Sequence, residues 1–492
     1  MDGRRGRRAA GAHPPPDARD DSRPTAVTRR VDGLVVLPSG GFRHVPYTAA
    51  SSPARHAARP AGPHVSALAA IAIFTIAFVL IATEKVHRVA VALFAAGMMA
   101  LLGLVPGKDV FFSEHAGIDW NVIFLLLGMM IIVGVIKQTG VFEFLAIWAA
   151  KRSGGRPYKL LVLLMVITAV ASPFLDNVTT IMLVAPVTVL VCRRLGIPAA
   201  PYLIAEALAS NIGGAATLIG DPPNIIIGSR AGLTFNDFVV HMAPIVVVLF
   251  ALFILLAWVM FRKRFEFHPE RVAEVMAMDE RASITDRRLL ARCLAVLALV
   301  VAGFALHAVI HVEPAIIALL GAGLMVLVAR VDTSVYLQEV EWSTLVFFMG
   351  LFVMVGGLVE TGVIHGIGTW ATGQVGDDYF LAATGLLFGS AVLGAFFDNI
   401  PYVATMAPIV EDIVATTPDP ATGQSLWWAF ALGADFGGNG TAVAASANVV
   451  VLGIAARAGE PISFWQFTRY GIVTTVMTTV IAWAYVWLRY FS

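Results

Sequence analysis

From residue 66 to residue 488 the chain reads as long apolar runs separated by short polar ones, for example "SALAAIAIFTIAFVLIAT" (66–83), "IVVVLFALFILLAWVMF" (245–261) and "GIVTTVMTTVIAWAYVWL" (471–488). Each approaches the about 20 apolar residues that a helix needs to cross a bilayer. Runs at 66–83, 86–105, 121–138, 200–230, 238–262, 289–308, 313–330, 343–360, 425–456 and 470–488 predict about ten crossings. A transmembrane β-barrel would show shorter segments of alternating polarity. The pattern therefore predicts an all-α polytopic membrane protein.

Two segments depart from it. Residues 159–171 and 178–191 are apolar pieces of 13 and 14 residues joined by "SPFLDN". At the helical rise each is too short for a hydrocarbon core of about 30 Å, which predicts a re-entrant hairpin over 157–193. An internal repeat supplies a second one. "IDWNVIFLLLGMMIIVGVIKQTGV" (118–141) lies over "VEWSTLVFFMGLFVMVGGLVETGV" (340–363) at a constant offset of 222 residues. The same offset carries Asp176 and Asn177 onto Asp398 and Asn399, inside a hairpin predicted over 380–415. After a shift of two residues, Asn211, Gly213, Gly214, Thr217 and Asn224 fall on Asp435, Gly437, Gly438, Thr441 and Asn448. The chain is thus a duplication, repeat 1 over 65–262 and repeat 2 over 289–492, joined by a linker at 263–288. Five crossings per half make the second copy enter from the opposite side. Inverted-topology repeats of this kind are a secondary-transporter architecture.

Charge then orients the molecule. Only 14% of residues are charged, against roughly 25% in soluble domains. Of the 34 Lys and Arg, eleven precede residue 65; of the other 23, 20 share one face when the linker is cytoplasmic. Lys108, Arg230 and Arg489 fall on the other. The positive-inside rule selects this orientation, for a multi-pass protein of the plasma membrane with lipid, not nucleic acid, as its surroundings. Residues 1–64, rich in Arg, Pro, Ala and Gly, read as a disordered basic tail without the apolar stretch of a signal peptide. The tail clashes with the predicted orientation. It is therefore expected to be an over-extended translation, the functional chain starting near Val65. Cys192 and Cys293 each adjoin an arginine and are expected as free thiols at cytoplasmic span ends. With no Cys/His cluster, no metal or redox cofactor is expected.

The candidate chemistry lies where polar residues interrupt spans. "ALASNIGGAATLIGDPPNIII" (207–227) and "GADFGGNGTAVAASAN" (433–448) carry helix breakers inside otherwise apolar runs. Unwound backbone at membrane depth is tolerated only where it is buried in protein or lines a watery cavity. The expected ion or substrate site comprises Asn211, Gly213, Gly214, Thr217, Asp221 and Asn224 from the first break. The second contributes Asp435, Gly437, Gly438, Asn439, Thr441, Ser446 and Asn448. The hairpin tips add Asp176, Asn177, Thr179 and Thr180, and Asp398 and Asn399. Asp176 and Asp398 also have the bland reading of helix N-caps, but a carboxylate inside the membrane costs at least about 2.5 kcal/mol, which favours a functional one. Glu206 has no acidic partner in the other repeat. No Lys or Arg lies among these motifs, so coupling to a cation, sodium or protons, is more strongly indicated than any particular cargo.

"FLDNVTTIMLVAPVTV", "IGGAATLIGDPPNIII", "DNIPYVATMAPIV" and "GGNGTAVAASANVVVLGIA" resemble the ArsB/NhaD group of the ion transporter superfamily, which includes melanosomal P protein-like and arsenite pump membrane subunit-like permeases. The resemblance covers residues 65–490. It implies a homodimeric elevator, not an enzyme, with a scaffold and a mobile body made of the two hairpins and two broken helices. Efflux of a small inorganic ion or oxyanion such as arsenite is the implied activity, sodium/proton antiport the alternative, and a cytoplasmic ATPase subunit a candidate partner. Sodium-coupled dicarboxylate relatives carry Ser-Asn-Thr at the tips. Here the tips read Asp176-Asn177-Val178 and Asp398-Asn399-Ile400, which ranks citrate or dicarboxylate symport lower, beside a channel.

Overall fold

The computed structural model describes residues 63–492 except 84, 114, 115, 331 and 377. The tail expected over 1–64 lies outside the described residues as far as residue 62. Among the described residues, 18 helices have ten residues or more, and they fall into two series of nine. The first is α1 (Pro63–Ala82), α2 (Arg88–Leu101), α3 (Trp120–Lys137), α4 (Val141–Ser153), α5 (Pro157–Leu175), α6 (Asn177–Leu195), α7 (Ala200–Gly214), α8 (Pro222–Ala231) and α9 (Ala243–Phe261). The second is α10 (Arg287–Ile310), α11 (Pro314–Ala329), α12 (Trp342–Glu360), α13 (Val363–Val375), α14 (Tyr379–Phe396), α15 (Asn399–Val414), α16 (Pro420–Gly437), α17 (Ser446–Arg457) and α18 (Phe464–Val486). Nine helices among the described residues are long and apolar enough to cross a membrane. The protein is an all-helical, multi-span membrane protein.

Matching elements start and pack alike in the two series. Gly140 (φ 73°) and Gly362 (φ 77°) turn the chain from α3 into α4 and from α12 into α13, in a left-handed conformation that suits glycine. Trp120 and Trp342 donate their indole N–H to the carbonyls of Phe111 (2.8 Å) and Leu337 (3.1 Å). Helix α3 packs on α11, and α12 on α2, both at backbone contact. A Cβ on Gly128 would lie 2.7 Å from the Ala318 backbone, and one on Gly350 would lie 2.9 Å from that of Ala92. These pairs, with α1 and α10, form a frame. In the second body α5 packs on α7 and α14 on α16, while α6 meets α17 and α15 meets α8 across the repeats.

The hairpin arms correct one expectation. They are helices of 19 and 19 residues (α5, α6) and 18 and 16 residues (α14, α15), not 13- and 14-residue pieces. Helix α5 runs on through Ser172 and Pro173, where the Ser172 hydroxyl donates to the buried Ser210 carbonyl at 2.8 Å. Three of these four arms, α5, α6 and α14, are among the nine helices long and apolar enough to cross a membrane, so length does not mark these hairpins as re-entrant. The Thr217 hydroxyl donates to the Pro173 carbonyl (2.6 Å) and that of Thr441 to Ala395 (2.7 Å), pinning each tip to a break in a spanning helix.

Contacts between loops sort them into two faces. On one, Lys137 pairs with Glu339, Lys151 with Glu280, and Arg193 donates to the Ala458 carbonyl. On the other, Arg230 pairs with Glu411, Ser229 with Asp119, and Tyr485 with the His241 carbonyl. The first carries the basic loops and is called the basic face below. Cys192 and Cys293 are both free and buried.

Candidate functional site

Each broken helix stops at helix-weakening residues of its own sequence. Helix α7 ends at Gly213-Gly214 and the chain resumes helix at Pro222, where a missing N–H costs nothing. Helix α16 ends at Gly437 and α17 starts at Ser446. The carbonyls freed at each break are taken by one asparagine of the following half-helix. The Asn224 amide donates to Thr217 (3.1 Å), and that of Asn448 to Thr441 (2.9 Å) and Gly438 (2.8 Å). These two residues therefore hold the breaks open in the same way.

Between the breaks lies a buried carboxamide and carboxylate cluster. Asn177 donates to Asn211 Oδ1 (3.2 Å) and to Asp221 Oδ2 (3.0 Å). Asn211 donates in turn to Asn439 Oδ1 and Asn448 Oδ1, both at 3.1 Å, so one side chain ties the two repeats together. Asp221 lies within electrostatic reach of Asp435, Asp176 and Asp398, and Asn224 faces Asp435. Asp435 is wholly buried. Asn177 Oδ1, Asp221 Oδ1, Asn224 Oδ1 and both carboxylate oxygens of Asp435 have no hydrogen-bond partner among the described residues. Buried oxygens without donors are costly. These oxygens are all acceptors, so a cation or a proton is the kind of partner that would complete them.

The tip acids are arranged differently. Asp176 caps α6, accepting from Thr179 N (2.8 Å) and Thr179 Oγ1 (2.7 Å). Asp398 caps α15 through Ile400 N (3.1 Å), accepts from Ser446 Oγ (3.4 Å), and pairs with Arg88 Nη1 at 3.4 Å. Both tips neighbour the basic-face ends of the frame. A cavity of about 340 Å³ holds Asp398 and Ser446 together with His87, Arg88 and Glu341, and Thr179 faces a smaller crevice with Glu339 and Glu341. At the opposite face a cavity of about 460 Å³, lined by Asn121, Ser229, His307, His311 and Glu313, reaches neither tip. The frame and the hairpin body are thus offset toward the basic face.

The expected residues accordingly separate into groups. Asn177, Asn211, Asp221, Asn224, Asp435, Asn439 and Asn448 meet in the cluster. Asp176, Thr179, Asp398 and Ser446 sit at the rim, and Thr180 is turned back onto the Asp176 carbonyl (2.7 Å). The buried side chain of Asn399 leaves its Nδ2 without a partner among the described residues. Thr217 and Thr441 fasten tips to breaks, and the glycines permit close packing rather than offering ligands. A Cβ on Gly213 would fall on the Ala169 carbonyl, and one on Gly437 would lie 2.9 Å from that of Ala391. Glu206 is buried, with the Thr188 hydroxyl at 2.6 Å.

The motifs contain no basic residue, but one from outside them joins the rim: Arg88, 310 positions away in α2, brings a guanidinium to Asp398. Sequence reading missed Arg88 and Glu341 because each sits at the polar start of an apolar run, where charge is ordinary. The only signal was the mismatch between repeats, in which Arg88 opens α2 but Pro314 opens α11.

Comparisons with known proteins agree with this architecture. The profile of the citrate transporter family, CitMHS, matches residues 78–433. An uncharacterized transporter of Mycobacterium tuberculosis is 55% identical over 86% of this chain and 98% of its own. The P protein of Sus scrofa is 33% identical over 83% of this chain and 58% of its own. The crystal structure of the YdaH transporter of Alcanivorax borkumensis shares the fold, with a TM-score of 0.57 at 14% identity over 86% of this chain and 98% of that one.

Proposed function

The chain belongs to the citrate transporter family, and on that footing we propose that it is a cation-coupled secondary transporter of ArsB/NhaD type, working by elevator-like alternating access. The single observation that carries the coupling is the set of five buried oxygens on Asn177, Asp221, Asn224 and Asp435 without a hydrogen-bond partner among the described residues, gathered from a hairpin tip and both broken helices. A sodium ion or a proton bound there neutralises carboxylates that otherwise oppose passage of the hairpin body across an apolar barrier. Loading thereby licenses movement, because an ion shifts a two-state equilibrium only through its different affinity for the two states. The basic face is taken as cytoplasmic, and the offset of the hairpin body toward it as an inward-facing state. We take the working unit to be a homodimer, with a cytoplasmic ATPase subunit as a candidate partner.

The cargo proposed is a small inorganic ion or oxyanion such as arsenite, with sodium/proton exchange as the alternative. A citrate-like anion is a second reading, favoured by Arg88 in the cavity and by the family's description. Proteoliposomes discriminate among them. Imposed sodium and pH gradients should drive saturable flux of arsenite, or exchange of sodium for protons without it, or uptake of citrate. Asp435→Asn should reduce gradient-driven flux at least tenfold while leaving the protein folded and inserted. Undiminished, equally gradient-dependent flux in that variant would rule out the cluster as the coupling site.

A further inference from the structure

The Arg88–Asp398 ion pair joins the frame to the hairpin body. Arg88 opens α2, whose backbone is pressed against α12 at Ala92 and Gly350. Its guanidinium lies 5.3 Å over the ring of Phe347, a residue of α12, a placement that holds a cation by its attraction to the ring face. Arg88 is therefore fixed to the frame on two counts. Asp398 is fixed to the other body, as the cap of α15 and the acceptor of Ser446 Oγ from α17. The pair spans the cavity at 3.4 Å with side chains 36% and 20% exposed, close enough to hold and wet enough to open.

The inverted repeat makes the pair informative. Aligning α2 with α11, "AAGMM" (95–99) lies over "GAGLM" (321–325), and Arg88 falls on Pro314. A proline has no charge to offer, and the cavity that Pro314 lines at the opposite face reaches no hairpin tip. Asp176, the counterpart of Asp398, accepts instead from its own Thr179. At matched positions the frame thus provides an arginine at the basic face and a proline at the other.

We propose that Arg88 is a positioning residue for transport, a one-sided latch that holds the second hairpin tip at the basic face until Asp398 is neutralised. A cation arriving from the cavity and settling on Asp398 removes the partner of Arg88, and the hairpin body is then free to leave. Because only one end carries the latch, an empty transporter rests facing the basic side, and the two directions of transport differ in rate. The inference rests on the alternating-access reading above but not on the identity of the cargo.

The test reads position, not flux. Val449 lines the same cavity and is 41% exposed, so Val449→Cys reports whether the cavity is open, by its rate of reaction with a water-soluble maleimide in cargo-free protein. Cys192 and Cys293 are buried and are controlled for by the parent without the substitution. Arg88→Gln and Asp398→Asn should each slow labelling severalfold as the population leaves the inward state. Combining them should add little, since both remove one interaction. The exchange Arg88→Asp with Asp398→Arg should restore fast labelling, which loss of packing alone would not do. Arg88→Lys, keeping charge without the fork, should fall between. Unchanged labelling in both single variants, or a double variant Arg88→Gln with Asp398→Asn that slows labelling by the product of the two single effects, overturns the latch. Restored labelling in a protein without gradient-driven flux would instead count against the proposed coupling and leave the latch standing.

Discussion

Asp176 and Asp398 occupy matched positions, but their backbones do not match. Asp398 has φ −54° and ψ 128°, ordinary for a helix cap, whereas Asp176 has φ 66° and ψ 157°. The latter region is essentially reserved for glycine and costs on the order of 1–3 kcal/mol for a side chain. The two hydrogen bonds from Thr179 hold Asp176 there, and such strain is a feature of functional segments rather than of simple caps. Replacing each by glycine separates the contributions. Asp176→Gly loses a cap that glycine replaces at a cost of only a few tenths of a kcal/mol while relieving the strain, so its thermal midpoint in detergent should stay level or rise. Asp398→Gly relieves nothing and loses the Arg88 pair, so its midpoint should fall. Equal losses in the two variants would mean that the tip of the first hairpin stores no strain.

The linker between the repeats shows how much an element can differ from the apolar runs around it. It forms a short helix at Pro269–Met276 and a turn at Glu280–Ser283. The linker is tied to α4 by Lys151, which donates to Glu280 Oε2 (2.5 Å) and to the Met278 carbonyl (3.1 Å). Lys151 holds the Glu280 carboxyl below its usual range. A lowered carboxylate contributes above its unfolded value and loses its contribution as pH falls through the lowered one. A spin label at position 281 should therefore keep constant mobility from neutral pH down to about pH 4 and loosen only below. Glu280→Gln should loosen it throughout. Spans and breaks were legible in the sequence because apolar length, Gly213-Gly214 and Pro222-Pro223 act locally. So was the correspondence of the two breaks, Asn211 lying over Asp435 in the repeat. The lengths of the hairpin arms were not, since Ser172 and Pro173 look like helix ends until the Ser210 carbonyl is known to lie beside them. Arg88 was invisible for the same reason, its partner being distant in the chain.

At the scale of the molecule, motion has few places to go. The frame is closed by backbone contacts at Gly128 and Gly350, and the hairpin body by Asn211 bridging both repeats, so the soft interface is the one between them, crossed by Arg88 and Asp398. The frame also has an unusual dimension. Helices α2 and α11 have 14 and 16 residues, about 21 and 24 Å at the helical rise, against a hydrocarbon core of about 30 Å. Leu93, Phe94, Leu320 and Leu327 are exposed along them, an apolar surface shorter than the lipid tails beside it. Where lipid covers this surface, the bilayer is expected to thin beside it, at a cost of fractions of a kcal/mol per Å of mismatch. Reconstituted activity should consequently be higher in membranes of short acyl chains than in long-chain or sterol-rich ones. Flux measured across a series of chain lengths would show it, and a flat response would mean that a partner surface, not lipid, covers α2 and α11. Membrane thickness should thereby be a controlling variable for this transporter, set by two helices of the frame whose link to the hairpin tips is Arg88.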